Sequence, residues 1–151
     1  FLRNPVGAPE KIDLLVLLNS LRHTFLEEIE LISALDEAYI FFDPDRARSV
    51  FENLIKNGIE SCGGRDPAVE VEVTRDRRKQ IHIYVRDRGD GIEEGDLEKI
   101  FDPFYTTKIH GSGIGLAICR QFVRAQKGNL KLYPREGGGT VAEVILPEES
   151  Y

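Results

Sequence analysis

VEVEVTRDRRKQIHIYVRDRGDGI, residues 69–92, holds the key to the fold. Val69, Val71 and Val73 alternate with Glu70, Glu72 and Thr74, and Ile81, Ile83 and Val85 alternate with His82, Tyr84 and Arg86. Alternation with period two marks strands that have one dry face. The charged stretch 75–79 between them predicts a hairpin turn. One further step of the alternation puts Asp87 on the face of Ile81, Ile83 and Val85. A carboxylate facing a core is costly unless donors meet it. The chain then bends through Arg88-Gly89-Asp90-Gly91-Ile92, where two glycines permit a sharp turn and a close approach to something flat. Two readings are open. Asp87 caps the turn with its own side chain, or it accepts a hydrogen bond from the amino group of a base lying against the glycines. Adenine has such a donor and guanine lacks one in the equivalent place.

Working upstream, Leu14, Leu15, Leu18, Leu21 and Phe25 recur at helical spacing and predict a helix over 12–25. Residues 30–35 and 38–42 read as two short strands around a turn at 35–37. Asp43 or Asp45 is placed to cap a helix. The longest helix follows over 46–62, with Ala47, Val50, Phe51, Leu54, Ile55, Gly58 and Cys62 as its apolar stripe and Gly63-Gly64 at its end. Downstream, a helix is expected over 114–125, ending near Gly128. A last strand pair, 130–133 and 140–146, closes the chain around 135–139. Strands joined as hairpins imply a mixed, largely antiparallel sheet. Three helices fit on one of its faces, which makes an α/β two-layer sandwich.

A length of 151 residues suits one domain with a single core. With 41% hydrophobic and 30% charged residues, the chain is not a disordered one. A net charge of −6 argues against a nucleic-acid binder, which would carry a basic surface. No apolar run reaches the length of a membrane span, and no basic-then-apolar leader opens the chain. Cys62 and Cys119 lack metal or redox spacing and read as small buried residues of a reducing, cytoplasmic compartment. The chain opens on Phe1 without an initiator Met, so a piece of a longer protein is expected: 1–11 as a lead-in and 12–151 as one domain.

Two further patterns carry chemistry. Asn53 and Asn57 lie one turn apart on one stripe of the long helix, with Glu60 next along it. Asn is a mediocre helix former, so two in mid-helix are either ordinary solvated residues or ligands. Amide oxygens are hard, neutral ligands suited to Mg²⁺. Gly111, Gly113 and Gly115 precede an apolar helical run, where a helix N-terminus attracts phosphate. The spacing is neither a P-loop nor a dinucleotide turn, so by itself this loop is equally a flexible turn.

Taken in order, ENLIKNGIES (52–61), DRGDGI (87–92), FDPFYTTK (101–108), GSGIGLAI (111–118) and GGGT (137–140) are more specific. Together they resemble the N, G1, F, G2 and G3 boxes of the catalytic, ATP-binding domain of two-component sensor histidine kinases. The resemblance extends over residues 12–147, and its FYTTK segment and short lid are similar to the nitrogen-regulation-like subgroup. It implies the Bergerat ATP-binding fold, with ATP and Mg²⁺ as ligands. It further implies that Asp87 binds the adenine amino group, with Gly91 and Ile92 lining the ring, Gly89 among the ATP-binding residues and Thr140 assisting through water. Asn57 would hold the metal, with Asn53 near the phosphates. Thr106, Thr107 and Lys108 belong to the lid, and Lys108 would reach the phosphates. Gly111, Ser112, Gly113, Ile114, Gly115 and Leu116 would cradle them. Phe101 and Phe104 read as hinge packing for the lid.

The resemblance also says what is missing. His23, His82 and His110 do not fit the family's phosphoacceptor motif, and His82 reads as a solvent-side strand residue. The acceptor histidine and its general base are therefore expected elsewhere, on a helical dimerisation domain of the same protein, and this piece would contain no catalytic residue and be monomeric. A response regulator would follow in the relay, and the parent protein would be cytoplasmic or membrane-anchored. Hydrolytic relatives of the fold resemble one another in a Glu where this chain has Asn53, which argues against fast hydrolysis, with Glu60 as the conceivable substitute. A serine kinase of the anti-sigma type and a non-catalytic ATP-sensing module are the alternatives. Gly58 stands where the family usually has Ala.

Overall fold

The computed structural model describes residues 8–25, 29–62, 69–91, 99, 101 and 115–149. Its elements run β1 (Glu10–Asp13), α1 (Leu14–Thr24), β2 (Ile29–Ser33), β3 (Tyr39–Phe42), α2 (Pro44–Cys62), β4 (Val69–Arg75), β5 (Gln80–Asp87), α3 (Leu116–Ala125), β6 (Asn129–Pro134) and β7 (Thr140–Pro147).

The hairpin read from residues 69–92 is present. β4 and β5 pair antiparallel, with Val71 opposite Val85 and Val73 opposite Ile83. Asp76 closes the turn: its carboxylate accepts from the amides of Arg78 at 2.8 Å and Gln80 at 3.0 Å. The full sheet has the order β2-β4-β5-β7-β6. β2 runs parallel to β4, while β5–β7 and β7–β6 are antiparallel. The sheet is thus mixed and largely antiparallel, and the three helices pack on one face, as the pattern implied. Val69, Val71, Val73, Ile81, Ile83 and Val85 are all at most 3% exposed beneath those helices.

Helix α2 begins at Pro44, two residues before the start expected at residue 46. Asp43 caps it, with its Oδ1 accepting from the Arg46 amide at 2.9 Å, and Pro44 occupies the first turn, where a missing N–H costs nothing. Its buried stripe is Ala47, Val50, Phe51, Leu54, Ile55, Gly58 and Cys62, every residue of the apolar pattern. Gly58 lets the helix press on the sheet: a Cβ there would sit 2.8 Å from Val69 Cγ2 and 3.4 Å from Asp87 Cβ. Both cysteines are buried outside any disulfide, and burial pushes the Cys119 thiol up to about 12.

Three further expectations are corrected. The first helix begins at Leu14, not at residue 12, because Asp13 caps it through the Val16 amide at 3.2 Å. Ile12 and Asp13 belong to β1, a strand too short to show alternation. The strands expected over 30–35 and 38–42 exist but do not pair with each other. β2 joins β4 in the main sheet, while β3 pairs with β1 in a separate two-stranded ribbon. The ribbon is anchored by Ile40 and Phe42, both at most 1% exposed, and by the Leu14 amide on the Ala38 carbonyl at 2.9 Å. The last helix begins at Leu116 rather than residue 114. Among the described residues no helix is long and apolar enough to cross a membrane.

Candidate functional site

Asp87 ends β5, the middle strand of the sheet, and is 8% exposed on the helix-covered face. Its Oδ1 accepts from the Gly89 amide at 2.9 Å and the Thr140 amide at 3.2 Å. Among the described residues both hydrogen bonds fall on Oδ1, which leaves Oδ2 as the acceptor still to be used. The turn-capping reading of Asp87 is therefore correct for one oxygen, and a ligand-reading role remains open to the other. Burial pushes the carboxyl above its ordinary range, against the two amides and the Arg135 charge, which favour ionisation.

The glycines around it are there for space. A Cβ on Gly89 would fall 1.7 Å from Ser61 Oγ, so the turn lies directly on the end of α2. Gly91 has φ +79°, and Gly137, Gly138 and Gly139 follow one another at +85°, +110° and +105°, a region that side chains rarely enter. A Cβ on Gly139 would stand 2.0 Å from the Asp87 carbonyl oxygen. The β6–β7 turn thus presses on the end of β5 and delivers Thr140, itself 8% exposed, to the carboxylate. Thr140 touches Asp87 directly through its backbone amide.

Asn53 and Asn57 are half-buried on α2. Their Oδ1 atoms are buried and, among the described residues, without a hydrogen-bond partner. A buried polar oxygen left unpaired is destabilising, and two of them one turn apart are not the solvated residues of the bland reading. Hard, neutral amide oxygens fit Mg²⁺. Glu60, next along that stripe, is exposed. α2 also packs against α3. Gly115 is the N-cap of α3 and offers no side-chain cap, and Leu116 behind it is 7% exposed.

The structure therefore brings Asp87, Gly89, Gly91 and Thr140 together at the end of β5, with Asn53 and Asn57 on the helix across it and Gly115 and Leu116 at the start of α3. Ile92, Thr106, Thr107, Lys108, Gly111, Ser112, Gly113 and Ile114 lie outside the described residues, as do Phe104 and His110. Phe101 packs against the core, and the Arg120 guanidinium lies over its ring at 4.2 Å.

His82 stands on the face expected of it, the outer face of the sheet, and gains partners there that the sequence did not show. Its Nδ1 meets Glu143 Oε2 at 2.7 Å and its Nε2 meets Asp76 Oδ2 at 2.8 Å. Sequence reasoning also missed Gly139, Arg88 and Arg135. Arg88 Nη1 donates to the Glu136 and Gly138 carbonyls, and Arg135 Nη1 donates to the Asp87 carbonyl at 3.2 Å. The run PREGGGT held the signal, since three glycines before a strand announce a backbone approach.

A two-layer sandwich whose middle strand ends in a half-engaged carboxylate among glycines defines a class of protein, and the chain belongs to it. Residues 42–150 match the family of histidine kinase-, DNA gyrase B- and HSP90-like ATPases. Sporulation kinase C of Bacillus subtilis (strain 168) is 37% identical over 117 residues, which are 76% of this chain and 26% of that protein. The sensor histidine kinase ZraS of Salmonella typhimurium is 38% identical over 105 residues, 70% of this chain and 22% of that protein. The chain thus spans about a quarter of the length of these relatives. Among solved structures, the catalytic domain of histidine kinase ThkA superposes with a TM-score of 0.76 at 27% identity, over 93% of this chain and 95% of that one.

Proposed function

We propose that this chain is the ATP-binding catalytic domain of a sensor histidine kinase. It binds Mg-ATP and presents the γ-phosphoryl to a histidine on a helical dimerisation domain of the same protein, from which a response regulator is served. The observation that carries this reading is Asp87, a buried carboxylate with one oxygen fixed by two amides and the other left for a base amino group. Adenine fits that oxygen.

Asn57 would hold Mg²⁺ through its unpaired Oδ1, and Asn53 would lie by the phosphates, to which its Nδ2 can donate. The ion supplies charge neutralisation at the phosphate oxygens. The start of α3, where Gly115 offers no side-chain cap, favours anions through the helix's first amides, so Gly115 and Leu116, with the preceding loop and Lys108 of the lid, would hold the triphosphate. The remaining work is positioning. The fold orients the nucleotide between a base pocket at the end of β5 and a phosphate end by α2 and α3. With Asn rather than Glu at position 53, no carboxylate stands there to activate water.

The test is calorimetry with ATP and ADP, with and without Mg²⁺, on this chain and on Asn57→Ala. Wild type should bind both nucleotides, more tightly with Mg²⁺. Asn57→Ala should lose most of the Mg²⁺ enhancement, about tenfold, and bind Mg-free nucleotide almost normally. Equal losses in both conditions would remove Asn57 from the metal. Transfer of acid-labile phosphate to a helical domain bearing an acceptor histidine tests the reaction itself.

A further inference from the structure

The hairpin that delivers Thr140 is joined to the end of β5 by an exchange of arginines. Arg88, one residue past β5, reaches into the turn and donates from Nη1 to the carbonyls of Glu136 at 3.1 Å and Gly138 at 3.2 Å. Arg135, just past β6, reaches back and donates from Nη1 to the Asp87 carbonyl at 3.2 Å. Its guanidinium is itself held: Nη2 lies 3.6 Å from Glu70 Oε1, with the side chains 15% and 26% exposed. Glu70 is fixed in turn by its cross-strand neighbour Arg86 at 2.9 Å. A row of charged groups along the outer face of the sheet therefore ends on the backbone of the residue whose side chain points to the inner face.

We propose that Arg135 is a positioning residue for the base-reading carboxylate: by tying the Asp87 backbone to the hairpin, it keeps Oδ1 on the Gly89 and Thr140 amides and Oδ2 turned toward the ligand. The inference rests on the nucleotide reading above. The Thr140 contact is the long one of the pair, 3.2 Å against 2.9 Å, and it crosses from one hairpin to another. It holds only while the two backbones keep their relation, and Arg135 joins them: its side chain donates to the Asp87 carbonyl, and its own amide donates to the carbonyl of Gly139, the residue before Thr140. The charge has a second effect. Arg135 favours the ionised form of a carboxyl that burial drives the other way. Among the described residues, the other charged groups near Asp87 are Arg88 and Asp90 in its own turn and Glu70 behind Arg135. Helix α2 brings Gly58, Ser61 and the Cys62 thiol.

The test compares wild type, Arg135→Gln and Arg135→Lys by calorimetry with ADP and, separately, with inorganic tripolyphosphate, from about pH 5 to pH 8. Arg135→Gln should bind ADP about tenfold more weakly at neutral pH and bind tripolyphosphate as wild type does. Its ADP affinity should also begin to fall at a higher pH on acidification. Arg135→Lys keeps the charge and should return that acid limb to its wild-type position. Wild-type ADP affinity in Arg135→Gln, an equal loss of both ligands, or a lysine variant that leaves the acid limb displaced would each overturn the inference. If circular dichroism shows that Arg135→Gln does not fold, Glu70→Gln replaces it. That variant frees the guanidinium and should weaken ADP about threefold with tripolyphosphate unchanged, and unaltered ADP binding would overturn the inference. Failure of the nucleotide reading looks different: wild type itself would then show no preference for ADP over tripolyphosphate.

Discussion

Asp87 and Glu143 are buried almost equally, at 8% and 9% exposure, yet they stand on opposite faces of one sheet and are used differently. Glu143 is saturated. Its Oε2 meets His82 Nδ1 at 2.7 Å and its Oε1 accepts from the Tyr133 hydroxyl at 2.9 Å. Asp87 spends one oxygen on two amides, and among the described residues the other has no donor. A carboxylate whose oxygens are both matched from within holds the fold together. One that is half matched holds the fold with one atom and is available to a ligand with the other. Burial alone would not separate the two residues; the count of donors does.

The sharpest way to break this comparison is to neutralise each carboxylate in turn. Asp87→Asn should reduce ADP affinity about 100-fold with the fold retained, read by calorimetry and circular dichroism. Glu143→Gln should leave ADP affinity alone and cost about 1–2 kcal/mol of stability in urea. Equal effects on binding would erase the distinction.

Next in size is Gly139→Ala. The added methyl meets the Asp87 carbonyl in a backbone conformation that side chains avoid. A stability loss of about 2 kcal/mol is expected, together with weaker ADP binding, because Thr140 would be displaced from the carboxylate. A normal melt would mean that the turn can move away from β5.

The His82 network sharpens the Glu143 side. Burial opposes the imidazolium, but hydrogen bonds to Asp76 and Glu143 outweigh it and raise the pKa above its ordinary 6.5. A raised folded value means that stability from this group is fully present below the unfolded value and is lost as pH rises through the folded one. The melting temperature of wild type should therefore exceed that of His82→Gln in mild acid, and the gap should close toward alkaline pH. A gap that widens instead would show the neutral ring to be the stabilising form.

The smallest effect is expected at Gly58→Ala. The methyl must push Val69 Cγ2 aside from 2.8 Å, while the helix gains about 1 kcal/mol in propensity. The two nearly cancel, and a net change under about 1 kcal/mol in urea is the outcome to check. A larger loss would show Val69 to be locked between α2 and the sheet.

Much of this was legible in the chain itself. Strict alternation wrote β4 and β5, and one extra step of it placed Asp87 on the inner face. The stripe of α2 came out whole because its apolar residues keep the helical period throughout, although the start was read two residues late, with Pro44 taken as punctuation rather than first turn. What escaped were partnerships made across the sequence. β2 and β3 are adjacent in sequence and look like a hairpin, but the long α2 connection returns β2 to a parallel neighbour, β4, and no local pattern encodes that. β1 is too short for periodicity. Arg88 and Arg135 look like ordinary turn charges, since a guanidinium that reaches a carbonyl 48 positions away leaves no trace in spacing. His82 has the correct parity for the outer face, but its two carboxylates come from a turn and from another strand. Asn53 and Asn57 were legible as a pair, and the structure adds that their oxygens are buried and unmatched.

The place of β5 in the strand order has a kinetic consequence. Lying between β4 and β7, it is bonded along both edges, so each of its amide hydrogens is held in one ladder or the other, whereas alternate amides of an edge strand have no strand partner. The carboxylate that terminates this strand is thus built on the part of the domain slowest to breathe. Deuterium uptake at Ile83 and Val85 should lag behind that of β2 and β6, the sheet's outermost strands, and should do so whether or not a nucleotide is present. A base would meet a socket already set, and ligand-driven ordering would fall to other parts of the chain.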